Sequence, residues 1–477
     1  MGDLPTPAQK TYMITTTQQS LMEVTGALSD CAHDSGFDFG ADTALVAVQH
    51  MLYQTVDLFR AISQIGLKPE NIFAVGKVYS NSVPVITAIR NMGATVIESS
   101  LPIPGQFDEA FERDVKLLWR IVGEKLAQRR IKRIIVLDDG GWCVVNIPRD
   151  LLSRYAVAGV EQTSLGMFLF EEKPPPFAVF SWARSAVKLQ IGGHIFSHCL
   201  IDRLQREFLR GKSLKGAEIG IIGLGSIGRA LADIASQQGN RVTFYDPAPD
   251  LKVPGYLHHR ITRVDSLQEL MLRADYVFGS SGRNPFKGRW PMAHRPGIKL
   301  FSGSGGDQEF GPVIRYLRKC PKFRVASHTW DITSEYGPSG AIHIAYMGFP
   351  YNFVSRAESA VPTHIVQLET AGLLSGLIQA RSYLDLVEDG HEPDTRIHRI
   401  SPEAQGFVYD LWLRAMKNRG IDIRGLYGYD TSLLAATQRN GWLAEHTEPR
   451  ARAGDASGAR VEEMMRSILG ECCQPAR

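Results

Sequence analysis

Three glycines in the segment Gly223-Leu-Gly225-Ser-Ile-Gly228 have a spacing that could bind a phosphate group. The aliphatic run 217–222 before them is typical of a strand, and residues 229–238 after them have the composition of a helix. In such a turn Gly223 permits a tight bend and Gly225 lets the backbone approach a pyrophosphate. Gly228 lets the helix pack against the strand. The segment therefore predicts a dinucleotide site.

The residues after the first two glycines indicate which dinucleotide binds. Ser226 and Ile227 open the helix, where the N–H groups and the positive end of the helix dipole attract phosphate. Residues 239–245 read as the next strand, and Asp246 ends it. A carboxylate at that point accepts hydrogen bonds from ribose hydroxyls and repels a 2′-phosphate. We therefore predict NAD, rather than NADP, as the cofactor.

A further strand of the same unit, at residues 274–278, is followed by small polar residues. Loops at strand ends in this part of a dinucleotide-binding fold line the ribose and the nicotinamide, so we predict cofactor contacts there. The residues concerned are Ser280, Ser281 and Gly282.

A histidine and an acid follow two strands of the N-terminal part. His50 comes shortly after the apolar run 43–48, and Asp139 is the second acid of Asp138-Asp139-Gly-Gly, directly after the run 133–137. Because ligands of parallel sheets bind outside the carboxyl ends of strands, both side chains are candidates for acid–base chemistry. A structural role, capping a backbone carbonyl, is the alternative for His50.

Strands that alternate with helices must position these residues, and this alternation predicts an α/β fold with parallel sheets. We predict a Rossmann-type, doubly wound NAD domain inserted in a second α/β domain that binds the substrate. In this interpretation residues 1–190 form the first part of the substrate-type domain and residues 191–348 form the NAD domain. Residues 349–447 return to the substrate-type domain and add a helical extension, and residues 448–477 form a flexible tail with a short helix.

Charge and composition exclude several classes of protein. The chain has 53 Lys+Arg and 50 Asp+Glu, a balance that argues against nucleic acid or an anionic membrane as the main partner. No apolar run of about 18 residues predicts a membrane span, and no secretory signal is recognisable. The 6 cysteines lack CxxC spacing, which predicts no metal site and a reducing, cytoplasmic environment.

Several short segments, taken in order, resemble the adenosylhomocysteinase family over about residues 43–415. They are Gln49-His50-Met51-Leu-Tyr-Gln54-Thr55, Val136-Leu-Asp138-Asp139-Gly-Gly141, Glu161-Gln162-Thr163-Ser164-Leu-Gly166, Ser185-Ala-Val-Lys188, the glycine-rich segment and Tyr346-Met347-Gly348-Phe349-Pro350. In that family a bound NAD oxidises a ribose 3′-hydroxyl, and homocysteine is then eliminated. The resemblance therefore implies bound NAD, a small nucleoside-like substrate and a homo-oligomer.

The resemblance also implies roles for individual residues. The catalytic positions are His50, Asp139 and Lys188, the further cofactor contacts are Thr163 and Ser164, and the substrate segments contain Gln54, Gln162, Met347 and Phe349. The two glutamines stand where the family has glutamates, and Phe349 and about Gly305 stand where it has histidines. Because amides and phenylalanine cannot transfer protons at these positions, we do not expect complete hydrolysis of adenosylhomocysteine.

Three functional hypotheses follow from the sequence. The first is an NAD-dependent enzyme that oxidises or reduces a hydroxyl of a nucleoside-like or other small substrate. The second is an inactive homologue that uses NAD as a structural or sensory ligand and acts through a protein partner. The third is a 2-hydroxyacid dehydrogenase, a class that shares this style of glycine-rich segment. That class uses an Arg…Glu…His set after the cofactor strands, and we find no convincing histidine there.

Overall fold

The computed structural model describes residues 22–286, 288–336, 339–354 and 361–421, together with residue 465. The predicted tail at 448–477 therefore lies outside the described residues, except for residue 465. The strands, in chain order, are β1 (Thr43–Gln49), β2 (Ile72–Gly76), β3 (Thr95–Ile97), β4 (Arg133–Asp138), β5 (Ala156–Glu161), β6 (Val179–Ser181), β7 (Glu218–Ile222), β8 (Arg241–Tyr245), β9 (Ile261–Arg263), β10 (Tyr276–Gly279), β11 (Ile298–Ser302), β12 (Arg324–Val325), β13 (Ile332–Tyr336), β14 (Gly340–Ile344) and β15 (Ile397–Arg399). The helices are α1 (Glu23–Asp34), α2 (Tyr53–Gln64), α3 (Val83–Asn91), α4 (Phe107–Leu126), α5 (Trp142–Val145), α6 (Arg149–Leu152), α7 (Ser164–Glu172), α8 (Gly193–Arg203), α9 (Ser226–Gln237), α10 (Leu267–Arg273), α11 (Gly311–Leu317), α12 (Thr363–Glu388) and α13 (Pro402–Asn418).

The first sheet has the strand order β15-β6-β5-β4-β1-β2-β3, and its strands pair in parallel. Every residue of β1, β2 and β4 is buried, as expected for central strands of a parallel sheet with helices on both faces. The first six strands follow the doubly wound order, so the direction of winding reverses between β1 and β4. A crevice forms at such a reversal, outside the carboxyl ends of the two strands.

The second sheet has the order β12-β13-β14-β11-β10-β7-β8-β9. The strands from β14 to β9 in this order are parallel, whereas β13 and β12 add an antiparallel edge. This sheet repeats the doubly wound order of the first, and its reversal lies between β7 and β10.

The second sheet is inserted in the first unit. The chain leaves the first sheet after β6, builds β7 to β14, and returns through α12 to place β15 beside β6. Helix α12 is almost entirely buried, and it packs on β5 and on α1, α2 and α13. The predicted fold class, a Rossmann-type sheet inserted in a second α/β unit, is confirmed. The predicted boundaries at residues 190 and 348 stay predictions.

Aromatic side chains join the two units. The ring of Tyr79, after β2, stacks on that of Phe349 with their centroids 4.9 Å apart, and the Tyr346 hydroxyl donates to the Tyr79 carbonyl oxygen at 2.6 Å. Phe107, at the start of α4, lies edge-on to Phe349. All four side chains are buried, so the carboxyl ends of the two sheets share one apolar contact.

The length and apolarity that a membrane span requires are not combined in any helix within the described residues.

Candidate functional site

The glycine-rich segment forms the turn between β7 and α9. Gly223 has a φ of +87°, and a Cβ atom there would lie 2.6 Å from the Cα atom of Ser281 in the loop after β10. A Cβ atom on Gly228 would collide with the Gly223 carbonyl oxygen. Only glycine fits these two positions, because the turn is tight and the helix lies directly on the strand end.

Gly225 differs from Gly223 and Gly228 because a Cβ atom at Gly225 would meet open space. It is the N-cap of α9, and no side chain caps the helix. The first N–H groups of α9, which include those of Ser226 and Ile227, are therefore available to an anion outside the turn. The Ser226 hydroxyl itself is used elsewhere, since it donates to the Leu189 carbonyl oxygen at 2.6 Å.

Asp246 closes the other side of this turn. Its Oδ2 accepts the Leu224 N–H at 2.8 Å, and its Oδ1 accepts the Ala248 N–H at 2.9 Å. The carboxylate is thus fixed at the end of β8, beside the glycine turn, where the ribose of a dinucleotide lies. The open cradle at Gly225 and this carboxylate fit NAD.

The loops after β10 and β11 meet on a buried acid that the sequence did not reveal. Glu309 Oε1 accepts the Ser281 hydroxyl at 3.0 Å, the Gly282 N–H at 2.9 Å and the Ser304 hydroxyl at 2.7 Å. Burial raises the pKa of Glu309 to about 7. The third predicted residue of this group, Ser280, donates to the Gly223 carbonyl oxygen at 2.8 Å and so ties the loop to the glycine turn.

Three side chains converge at the winding reversal of the first sheet. His50 follows β1, Lys77 follows β2 and Asp139 follows β4. Lys77 Nζ binds Asp139 Oδ1 directly, and His50 Nε2 lies 3.2 Å from Asp139 Oδ2. The Lys77 and Asp139 side chains are only 1% and 4% exposed, and that of His50 is 19% exposed. The cluster is therefore a buried charge pair with a more accessible imidazole beside it.

Burial and charge set the protonation of this cluster. Burial lowers the pKa of His50 by more than Asp139 raises it, so the imidazole is neutral near pH 7. Burial alone would raise the pKa of Asp139, but the charge of Lys77 outweighs it and holds that pKa well below the usual range. Burial opposes the Lys77 charge too, and Asp139 nevertheless raises its pKa. The ionised Asp139 carboxylate beside Nε2 can only accept a hydrogen bond, so the neutral ring carries its proton on Nε2, and Nδ1 faces the Ser80 hydroxyl at 2.6 Å.

Two further buried acids fix the backbone behind Asp139. Glu161 accepts the N–H groups of Gly140 and Gly141 at 3.1 and 2.8 Å. Asp138 Oδ2 accepts the Val144 N–H at 2.8 Å. Burial raises the pKa of Asp138 to about 7 and that of Glu161 well above its usual value. These carboxyl groups hold the glycine turn, and Asp139 alone points into the charge cluster.

Lys188 lies between the two units. It begins a π-helical turn at Lys188–Gly192, and its Nζ is 2.7 Å from Glu369 Oε2 on α12. The next residue, Leu189, accepts the Ser226 hydroxyl of the glycine turn. The charge of Lys188 also lowers the pKa of His50. Lys188 is thus placed near both the nucleotide turn and the charge cluster.

The remaining predicted residues lie in several different environments. Gln162 donates to Asp139 Oδ2 and accepts from Gln49 Nε2 at 2.9 Å, so it belongs to the charge cluster. Gln54 is half-buried in the first turn of α2. Thr163 caps α7 by accepting the Gly166 N–H at 3.0 Å. Ser164, the first residue of α7, is exposed, and Met347 and Phe349 are buried.

Sequence reasoning missed Lys77 and Glu369. A signal was present for Lys77, because it directly follows β2 just as Asp139 directly follows β4. Glu369 carries no such signal, since it lies within a helix 181 residues from its partner Lys188.

The fold and this site together define a two-unit α/β protein with a dinucleotide turn at one winding reversal. Residues 197–284 match the family model described as the NAD-binding domain of D-isomer-specific 2-hydroxyacid dehydrogenases. This match, together with the fit at Gly225 and Asp246, establishes NAD as the cofactor. It covers only part of the second unit.

Two curated relatives are uncharacterized proteins of Mycobacterium tuberculosis, from strains CDC 1551 / Oshkosh and ATCC 25618 / H37Rv. Each is 30% identical over 318 residues, which is 65% of this chain and 58% of the relative. The chain therefore spans less than two thirds of their length.

One solved structure that is similar is a glyoxylate reductase from Paecilomyes thermophila. It is 12% identical, with a TM-score of 0.34, and the match covers 76% of this chain and 99% of that chain. The fold assignment therefore rests on the strand order described above. The family-model match alone supports an NAD-binding domain of the dehydrogenase type, and it supports no finer assignment.

Proposed function

We propose that this protein is an NAD-dependent oxidoreductase that acts on a hydroxyl group of a small, neutral, nucleoside-like substrate. The observation that carries the proposal is the cluster of His50, Lys77 and Asp139 at the winding reversal of the first sheet. The carboxyl ends of both sheets meet beside this cluster, since the Gly306 N–H, after β11, donates to the Tyr79 hydroxyl at 3.3 Å, and the Tyr79 ring centroid lies 5.8 Å from that of His50. A substrate at this junction can contact the polar cluster of one unit and the cofactor of the other.

Bound NAD supplies a hydride acceptor, and the chain must supply the group that takes the hydroxyl proton. The neutral imidazole of His50 is suited to proton transfer, because Asp139 accepts its Nε2–H and so orients the ring. Lys188 is the second candidate, being beside the nucleotide turn and only 22% exposed. Both positions also match catalytic residues of the adenosylhomocysteinase family, which supports a ribose-like hydroxyl as the reacting group.

The charges of the cluster favour a neutral substrate over a 2-hydroxy acid. A substrate carboxylate needs a cation that is free to bind it. Lys77 already pairs with Asp139, and Lys188 already pairs with Glu369. A second carboxylate at either lysine would face an acid that is buried and charged.

The hypothesis of an inactive homologue rests on the neutral residues of the substrate half. Phe349 has no exposed surface and cannot transfer a proton, and Gly305 has no side chain at all. The adenosylhomocysteinase family, which the sequence resembles, has histidines at about these two positions, and this protein lacks them. In this hypothesis NAD binds but does not change its oxidation state.

The test starts from purified protein whose released nucleotide is identified by mass spectrometry. The NAD-loaded protein is then mixed with adenosine, with adenosylhomocysteine or with D-glycerate, and the absorbance of reduced nicotinamide is followed. We expect reduction with a nucleoside and none with D-glycerate. Reduction with D-glycerate alone would favour a 2-hydroxyacid dehydrogenase, and NAD that stays oxidised with every candidate would favour the inactive homologue. A protein that binds no added NAD would refute the proposal outright.

A further inference from the structure

One buried carboxyl group joins the two loops that follow β10 and β11. Glu309 lies at the end of the second loop, directly before α11. Its Oε1 accepts the Ser304 hydroxyl of its own loop at 2.7 Å. The same atom accepts the Gly282 N–H at 2.9 Å and the Ser281 hydroxyl at 3.0 Å, both from the loop after β10. Glu309 has no exposed surface, so bulk water does not compete for these bonds.

The end of β10 leaves room for this carboxyl group. Gly279 is the last residue of β10, and a Cβ atom there would lie 2.8 Å from Glu309 Oε2. Oε2 is buried and has no hydrogen-bond partner among the residues that the structure describes. Burying such an oxygen costs stability, and an apolar side chain would avoid that cost. The acid is therefore better explained by the contacts of Oε1 than by packing.

The loop after β10 also forms one wall of the glycine turn. A Cβ atom at Gly223 would lie 2.6 Å from the Cα atom of Ser281, and the Ser280 hydroxyl donates to the Gly223 carbonyl oxygen at 2.8 Å. Helix α9 begins in the same turn, beside the open cradle at Gly225. A movement of the loop therefore changes the space in which the dinucleotide binds.

We propose that Glu309 is a positioning residue for NAD. Its Oε1 holds the loop after β10 in place against the glycine turn, so that the cofactor meets a site that is already formed. Without this acceptor the loop has to become ordered when NAD binds, and the cost of ordering weakens the affinity. The role needs a hydrogen-bond acceptor at Oε1, and it does not depend on which substrate the protein takes.

Two substitutions separate the acceptor from the other properties of the side chain. Glu309→Gln keeps a side-chain oxygen that can accept the same bonds. Glu309→Leu has a similar size and no acceptor, so the Ser281 hydroxyl loses this partner. NAD affinity is measured by calorimetric titration of nucleotide-free protein. We expect Glu309→Leu to bind NAD roughly tenfold more weakly and Glu309→Gln to stay within about threefold of the wild type.

Hydrogen exchange in the NAD-free protein measures the order of the loop itself. The Gly282 N–H is protected by its bond to Glu309 and by a longer one, at 3.1 Å, to the Ser304 hydroxyl oxygen. We expect the peptide that contains Gly282 to exchange roughly tenfold faster in Glu309→Leu and close to the wild-type rate in Glu309→Gln. Peptides from β7 and β8 should keep their protection, which verifies that the second unit is folded.

Asn240 provides a matched control at the other end of the same sheet. It is 7% exposed, and its side chain accepts the Ala217 N–H at 3.3 Å and donates to the Ala235 carbonyl oxygen at 2.9 Å. Ala217 precedes β7, whereas the glycine turn follows β7. Asn240→Leu should therefore lower the midpoint of urea denaturation and change NAD affinity by less than about twofold.

Several outcomes would overturn the proposal. One is a Glu309→Leu variant that binds NAD as tightly as the wild type, and another is an equal loss of affinity in Asn240→Leu. A Glu309→Gln variant as weak as Glu309→Leu would show that an acceptor oxygen is not sufficient. If Glu309→Leu does not fold, Ser304→Ala replaces it, since this change removes one of the three bonds to Oε1. We then expect about threefold weaker NAD binding and faster exchange at Gly282, and an unchanged value of both would refute the proposal.

Discussion

The two sheets have the same doubly wound strand order and yet build different sites at their winding reversals. In the second sheet, Gly223, Gly225 and Gly228 present backbone N–H groups at the reversal. In the first sheet, His50 and Asp139 flank the reversal with charged or polar side chains. One reversal thus presents main-chain groups, and the other presents side chains that are buried as a charged group.

This difference determines how each site can fail. A backbone site depends on empty space and local dihedral angles, so a single added Cβ atom can block it while the fold survives. A buried charge cluster depends on the presence of every partner, because removing one leaves another charge in a low-dielectric environment. The predictions below separate these two kinds of dependence.

The largest expected effect is on stability, from Lys77→Met. This change leaves Asp139, with 4% of its side chain exposed, charged and without its strongest partner. We expect the free energy of unfolding to fall by about 3–5 kcal/mol, measured by urea denaturation. The matched change Lys116→Met, at a surface pair, should cost about 1 kcal/mol or less. Equal losses of stability in the two variants would mean that solvent screens the Asp139 charge as well as it screens a surface charge.

The next effect is on cofactor binding, from Gly225→Ala. The new Cβ atom enters open space in the protein but occupies the path of the pyrophosphate. We expect NAD to bind roughly a hundredfold more weakly, about 2.7 kcal/mol by calorimetric titration, with an unchanged unfolding midpoint. Gly255→Ala is the control, because its added Cβ atom also meets open space in the same unit. If Gly225→Ala binds NAD as tightly as the wild type, the pyrophosphate does not bind beside Gly225.

A smaller effect concerns pH, at the contact between the two units. Asp307 Oδ2 accepts the Phe107 N–H at 3.3 Å, and burial, aided by the charge of Asp108, raises the pKa of Asp307 to about 7. The folded state therefore holds a proton that the unfolded chain releases near pH 4, so this carboxyl lowers stability as the pH rises from about 4 to 7. In Asp307→Asn we expect the loss of stability over this range to shrink, on the order of 2 kcal/mol.

Denaturation at several pH values measures this slope. Asp150→Asn is the control, because that side chain is 68% exposed and its removal should leave the slope of the wild type. A slope in Asp307→Asn equal to that of the wild type would contradict the assignment of a buried, protonated acid at the contact.

The smallest effect is expected from Ser80→Ala. The Ser80 hydroxyl lies 2.6 Å from His50 Nδ1, and its loss removes the hydrogen-bond partner of that nitrogen. We expect about 1 kcal/mol of destabilisation, measured by thermal or urea denaturation. Ser153→Ala, which removes an exposed hydroxyl 2.9 Å from the Asp150 carbonyl oxygen, should be close to neutral. A neutral result for Ser80→Ala would show that water replaces the hydroxyl beside His50.

Local patterns predicted the elements of both units well. The strand predicted from the apolar run 43–48 is β1 at Thr43–Gln49, and the helix predicted at 229–238 after the glycine-rich segment corresponds to α9 at Ser226–Gln237. The helix before β7 is only partly regular, since α8 ends at Arg203 and Leu204–Phe208 form a π-helical turn. Composition gives no signal for the wider hydrogen-bond spacing of such a turn.

The sequence by itself determined the cofactor site, because its function resides in a contiguous turn. Glycine spacing, a following helix and an acid at the next strand end are all local features, and backbone geometry makes them sufficient. The tertiary structure alone decided which charged side chains pair. Lys77 and Asp139 are 62 residues apart, and Lys188 and Glu369 are 181 residues apart. Strand order and helix packing decide which buried charges come into contact. The spacing of residues along the chain does not reveal either of them.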